Sequence, residues 1–526
     1  MKSVLAYKIT STNTWLYLFL WILLVLVLLS PFNGDVLVSF GSAIQADYLG
    51  NFPANIYHSW NLRGIGYKYL IYLLYKITAL ITGKENIVAF QITAKFLYYS
   101  IFLTLSYFSF KALKAFLNKY SLNWHTLFLV FAFLMLSLSG FCSLQAEEVG
   151  VFFTVSLTAA IFSDKRILRY LSGIFVCILL SLKIVTVFYA AYPILLLLYF
   201  YRSYKVQFAT YLISSVTSLL CLCLIYLYVL PQEITDTINA TYFQSSLRIN
   251  SSLIYEFIYG TLLAAANFPF LLPAIIVFLT LIFLHYRKIK VWLYSICFFL
   301  IPTIPILMQG KFFAYHYLIF VPFVLTVNCF IYSQKGKIKQ LIIKIFYIAT
   351  FSIWLVFGIS LWFFANVKTS GYSYYFQNKK EFDHSRFKKL AEPVLFANFF
   401  FSKELYQNRA TFIKKMNNEN NLLNEPEILF LSDGAVNFFI HNKSYSRYYF
   451  PLPLQRYPAN NILKYKPIYK ETYQHFLNYK GNYIIVQSDW FKLVYYPELQ
   501  GKMLSEYTYI GRYGSSLYYL DLYKRK

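Results

Sequence analysis

The chain reads as a mostly helical, polytopic membrane protein of about eleven transmembrane helices, closed by a small C-terminal α/β domain. Three observations predict that class. The 526 residues are 58% hydrophobic and only 13% charged, against roughly 25% charged in soluble proteins. Apolar runs long enough to cross a bilayer recur along the chain. The net charge of +26 collects in short loops between those runs, the pattern that orients membrane proteins. No nucleic-acid motif competes for that charge, so no nucleic-acid partner is expected.

The spans are expected at Trp15–Phe32, Val88–Phe110, Leu127–Phe141, Val149–Phe162, Leu168–Leu182, Ile184–Tyr201, Phe208–Leu230, Leu262–His285, Val291–Met308, Ala314–Tyr332 and Leu341–Ala365. No small-residue cleavage site follows the first run, which reads as a retained helix rather than a signal peptide. Leu168–Leu182 and Ile184–Tyr201 are short and read as a broken pair meeting at Lys183. Tyr67–Thr82 reads as an amphipathic helix lying in the interface, with Lys68, Tyr72 and Lys76 along one side. Counted as a span, it would turn every basic loop, after Phe110, Phe162, Tyr201, His285 and Tyr332, to the outer side. The odd span count then predicts a multi-pass protein of the cytoplasmic (inner) membrane. Its N-terminus is cytoplasmic and its C-terminal domain extracytoplasmic, in the periplasm of a Gram-negative source.

Two domains follow: residues 1–365, a helical domain including a first outer loop at 33–87, and residues 366–526, an α/β domain. In the latter, Glu427-Ile-Leu-Phe-Leu-Ser reads as a buried strand, with Asp433-Gly434 turning into a helix at Ala435–Ile440. Tyr483-Ile-Ile-Val-Gln reads as a second strand, and Tyr507–Ile510 with Ser516–Leu522 as a terminal hairpin. The six cysteines lie in or beside apolar runs, none of them in the C-terminal domain, so disulfides are not expected to hold that domain. None has zinc-ligand spacing with histidines.

The chemistry-bearing residues fall on the side opposite the basic loops. The first loop holds Asn33-Gly-Asp35, Gln45-Ala-Asp47-Tyr48 and His58-Ser-Trp-Asn-Leu-Arg63-Gly-Ile-Gly-Tyr-Lys68. A carboxylate there suits a general base toward a hydroxyl. Leu144-Gln-Ala-Glu147-Glu148 places two acids at the mouth of the helices, where they must stay wet or find cations. Lys183 is an isolated lysine in an apolar stretch, a residue that snorkels or meets an anion. Gln309-Gly-Lys311-Phe-Phe-Ala-Tyr315-His316 gathers more polar groups than interface anchoring requires. Arg63, Lys183 and Lys311 suit a phosphate or pyrophosphate headgroup.

These motifs resemble the polytopic glycosyltransferases of the GT-C type, which use polyprenyl-phosphate-linked sugars. They are similar to bacterial relatives of the protein mannosyltransferases and the lipid A aminoarabinose transferase. The resemblance rests on the acidic first loop with Asp47-Tyr48, on Leu144-Gln-Ala-Glu147-Glu148, and on Gln309-Gly-Lys311 through His316. It implies a membrane glycosyltransferase carrying a sugar from a polyprenyl-phosphate donor to a glycan, lipid or protein acceptor, with inversion. It also implies a first-loop Asp as base. Family members carry an Asp-Glu pair; here Val36 follows Asp35 and Tyr48 follows Asp47, and Asp47 is the favoured base with Asp35 beside it. Arg63, Lys68, Glu147, Glu148, Lys183, Gln309, Lys311, Tyr315 and His316 are expected to bind substrate. No cofactor and no metal site is expected. An O-antigen-type polymerase or ligase would be expected to carry more outer arginines, and a lipid-glycan transporter internal repeats and midplane polar groups.

Overall fold

The computed structural model describes residues 17–25, 27–28, 32, 34–50, 63–83, 86–142, 144–229, 289–309, 314–333, 411–447, 466–488, 490–514 and 519–526, with 235, 275, 279, 349, 352 and 454. After helical residues 17–25 and 27–28 come α1 (Gly34–Leu49), α2 (Ile65–Thr82), α3 (Ile87–Ala112), α4 (Trp124–Cys142) and α5 (Ala146–Phe162). Then follow α6 (Ser172–Leu182), a 3-10 segment at Ile184–Ala190, α7 (Ala191–Tyr199), α8 (Lys205–Tyr228), α9 (Ile289–Gln309), a 3-10 segment at Ala314–Ile319 and α10 (Phe320–Ser333).

Local chemistry sets several boundaries. Asp35 occupies the first turn of α1, where a carboxylate complements the helix dipole. Gly83 ends α2 at φ 73, a conformation that favours glycine, and donates its N–H to Ala79 O. The Asn86 side chain caps α3 by accepting from Ala89 N at 3.1 Å. At the end of α6 the helix breaks: Lys183 is extended, with φ −168 and ψ 143. The Thr186 hydroxyl donates to the carbonyls of Leu179 and Lys183, serving groups the break leaves without helical partners.

The polytopic expectation is corrected here. Among the described residues one helix, α8, is long and apolar enough to cross a membrane, and its central window is 17% buried. About eleven spans are not supported. Two expected spans form helices that are too short: α6 has 11 residues and α7 has 9, whereas a span needs about 20. α5 has 17 residues, of which 15 are buried. It is the central helix of a packed interior, touching α3, α6, α7 and both 3-10 segments. A helix that is apolar all round is buried either in protein or in lipid, and hydropathy alone does not separate the two. The expected spans Leu262–His285 and Leu341–Ala365 lie almost wholly outside the described residues, as does part of Trp15–Phe32. The orientation inferred from an odd span count therefore loses its footing.

The C-terminal region carries a four-stranded sheet in the order β1-β2-β4-β3: β1 (Leu429–Leu431), β2 (Tyr483–Val486), β3 (Tyr507–Gly514) and β4 (Tyr519–Arg525). β1 runs parallel to β2, with Leu429 opposite Ile484. β4 is antiparallel to both β2 and β3, with Ile485 opposite Leu522 and Tyr509 opposite Tyr523. α11 (Ala435–Ile440) follows β1, α12 (Lys466–Leu477) precedes β2 and α13 (Pro497–Glu506) precedes β3. Leu429, Leu431, Ile484 and Val486 bury one face against Phe476, Leu499 and Met503.

This module docks on α1. Phe438 of α11 meets Phe32, Phe40 and Phe90, with ring centroids 5.7–6.3 Å apart. The Gln45 amide donates to Asn437 Oδ1 (2.7 Å) and Asn442 O (2.9 Å) and accepts from Ser444 N (2.7 Å). All these groups are buried, so each bond satisfies a polar atom cut off from water.

Candidate active site

The site forms where the start of α2 meets the break after α6. Gly64 donates its N–H to Leu182 O at 2.9 Å. A side chain at Gly64 or Gly66 would overlap Ser181, its backbone oxygen in the first case and its hydroxyl in the second. Two glycines flanking Ile65 thus let the start of α2 pack directly on the end of α6 at Ser181 and Leu182. The loop before α5 closes from the other side, with the Tyr67 hydroxyl donating to Leu144 O at 2.6 Å.

Side chains from five elements then form one network. Arg63 Nη2 donates to Asp35 Oδ2 and to Gln145 Oε1, both at 3.2 Å. Lys183 Nζ donates to Glu147 Oε1 and to Gln309 Oε1, both at 2.5 Å. The Lys183 ammonium feels Arg63 and Asp35 as well as Glu147, which makes the two halves a single electrostatic unit. Burial decreases outward: Glu147 is 1% exposed, Arg63 and Lys183 8%, and Asp35 47% by side chain. Burial lowers the Lys183 pKa, while Glu147 opposes that shift.

Glu148 has a different role from its neighbour. It accepts from the Tyr99 hydroxyl at 2.9 Å and from Leu144 N at 2.7 Å. Burial pushes its carboxyl up to about 8 against those bonds, and its two oxygens hold Tyr99 and the loop before α5 rather than a cation of the network. Lys95 on α3 is also buried; it donates to Val27 O at 3.1 Å and lies 5.6 Å from the centre of the Phe32 ring.

Of the expected site residues, the network joins Asp35, Arg63, Glu147, Lys183 and Gln309. It does not include Asp47, which lies twelve residues along α1 from Asp35, roughly 18 Å at 1.5 Å per residue. Asp47 instead accepts from Lys76 on α2 at 2.5 Å, near the Tyr48 hydroxyl that donates to His441 O of the docked module. Lys68 is buried on α2 and His316 is buried in the second 3-10 segment, which also contains Tyr315. Lys311 lies outside the described residues. Gln145 and Tyr67 were missed as site residues. Gln145 lies within the acidic motif, but nothing in its side chain signals that it bridges to a guanidinium from another element.

No protein-family model, curated protein or solved structure matches this chain. The functional reading therefore rests on the network and its chemistry. Among the described residues, no group of three or more His, Cys, Asp or Glu side chains is placed to hold a metal ion.

Proposed function

We propose that the protein transfers a sugar from a polyprenyl-phosphate donor to an acceptor hydroxyl with inversion, Asp35 acting as general base. The observation that carries this reading is a half-exposed carboxylate bonded to a nearly buried guanidinium, with a buried ammonium in the same network. Arg63 and Lys183 are suited to the donor phosphate, because charge-assisted bonds to phosphate strengthen in a site that excludes water. Asp35 takes the acceptor O–H proton. The oxygen attacks the anomeric carbon, and the bond from that carbon to the phosphate oxygen breaks with its electron pair leaving on the lipid phosphate. The leaving group is an anion already neutralised by two cations, so no separate acid is required.

A polyprenyl donor puts the reaction at a membrane surface. α8 suits the task of holding the protein there: Leu212, Ile213, Val216, Leu220, Leu224 and Leu227 are all exposed along it. The base assignment moves from Asp47 to Asp35, because Asp35 is the half-exposed acid bonded to Arg63, whereas Glu147, the acid bonded to Lys183, is buried.

The test is transfer by the full chain from a polyprenyl-phosphate glucose to an acceptor, in detergent or a nanodisc. Asp35→Asn is expected to lower the rate by about 10²- to 10⁴-fold, and Asp47→Asn to leave it within a few-fold. Full activity of Asp35→Asn, or no cleavage of any polyprenyl-phosphate sugar by the wild type, overturns the proposal.

A further inference from the structure

The network leaves two buried polar atoms unspent. Glu147 uses Oε1 to accept from Lys183, while its Oε2 has no hydrogen-bond partner. Gln145 uses Oε1 to accept from Arg63, while its Nε2 donates to nothing. Glu147 is 1% exposed and Gln145 0%. A buried polar group left unsatisfied costs about 1–3 kcal/mol. Such atoms in a protein interior call for an explanation, and a ligand group absent from the resting state supplies one.

The two atoms have opposite hydrogen-bonding sense and sit two residues apart at the start of α5, one on its N-cap and one in its first turn. Glu147 Oε2 is an acceptor with negative charge. Gln145 Nε2 carries two N–H donors. A phosphate or carboxylate cannot satisfy Glu147 Oε2, because both partners would be anionic acceptors. A hydroxyl has both senses: it can donate its proton to Glu147 Oε2 and accept from Gln145 Nε2.

We infer that Gln145 and Glu147 form a hydroxyl-recognition subsite beside the Arg63 and Lys183 anion site, one that selects a donor sugar bearing hydroxyls over one bearing a carboxylate. This inference rests on the glycosyl-transfer reading above. Both unspent atoms are sealed from water in the resting protein. The Asp35–Arg63 pair is the partly exposed end of the network.

The experiment measures binding to the full-length protein of three probes: citronellyl phosphate, its β-glucosyl ester and its β-glucuronosyl ester. The wild type is expected to bind the glucosyl probe at least about tenfold more tightly than the glucuronosyl probe, the ratio that one well-placed hydrogen bond supplies. Glu147→Gln keeps an oxygen for Lys183 and turns the unspent acceptor into a donor. It is expected to erase or reverse that ratio, which compares two probes carrying the same phosphate, while citronellyl phosphate alone registers what the lost charge beside Lys183 does to anion binding. Equal wild-type affinity for the two sugar probes overturns the subsite and leaves the donor reading standing. A uniform loss across all three probes in Glu147→Gln also overturns it, because a purely structural role acts that way. A failure of the wild type to bind any probe removes the donor reading itself. Should Glu147→Gln not fold, the wild-type ratio decides alone.

Discussion

Lys183 and Glu147 meet at 2.5 Å, and so do Lys76 and Asp47, yet the surroundings of the two pairs make them different objects. The first pair is 8% and 1% exposed; the second is 50% and 18% exposed. In the first, water is excluded, a second donor–acceptor bond to Gln309 fixes the ammonium, and a guanidinium stands nearby. In the second, solvent screens the bond between helices α1 and α2. The contrast follows α1 from end to end. Its first turn carries Asp35 into the charged network, while its second half carries Gln45 and Tyr48 to the C-terminal module. An acid's sequence neighbourhood does not tell these situations apart; the element that crosses it does.

Removing one lysine from each pair is the most direct way to break the comparison. Lys183→Met leaves Glu147 as a buried carboxylate without its cation, and such a loss costs about 3–5 kcal/mol. Denaturant or thermal unfolding of the full chain in detergent should register it. The double variant Lys183→Met with Glu147→Leu should recover most of that loss, since no charge is then stranded. If the single variant is as stable as the wild type, Glu147 is not held as a buried ion and the asymmetry between the two pairs fails.

A smaller effect is expected at the module end of α1. Gln45→Ala strips a partner from Asn437 Oδ1, Asn442 O and Ser444 N. Asn442 O still accepts from Asn437 Nδ2 at 3.3 Å, so the expected loss is about 1–3 kcal/mol. Hydrogen exchange should quicken at the Ser444 amide and leave the amides of α5 unchanged. Equal quickening in α5 would mean that the two ends of α1 are one cooperative unit rather than two.

Local signals made much of the C-terminal region legible. The apolar runs at Glu427–Ser432 and Tyr483–Gln487 contain β1 and β2, and the expected hairpin falls on β3 and β4, although β3 continues through Gly511 to Gly514, where a turn was expected. The parallel pairing of β1 with β2 was not legible, because register depends on contacts across some fifty residues. In the helical region the break at Lys183 could be read from a lone lysine in an apolar run, whereas the span count could not be read at all. α5 is as apolar as a membrane helix and is buried by protein. Asp35, Arg63, Glu147, Lys183 and Gln309 could be singled out as polar residues out of place. Which aspartate joins them could not, because 33–87 was read as a loop. A rigid α1 throughout Gly34–Leu49 carries Asp47 away from the cluster that holds Asp35.

The smallest expected effect lies at the pair that holds Asp47, the base the sequence favoured. Lys76→Met removes one partner of Asp47, but the lysine is half exposed and the carboxylate keeps contact with solvent. Exposed ion pairs contribute about 0–1 kcal/mol. Their worth falls with salt, because charges near the surface are screened over about 8–10 Å at physiological ionic strength. Lys76→Met should therefore cost under about 1 kcal/mol at low salt and almost nothing at 1 M NaCl. The cost of Lys183→Met should hardly change between the two conditions, since its stranded carboxylate is out of reach of ions. Measuring both variants at both salt concentrations turns the contrast into a difference of slopes. A Lys76→Met penalty as large and as salt-independent as that of Lys183→Met would make Asp47 a second buried site and undo the preference for Asp35.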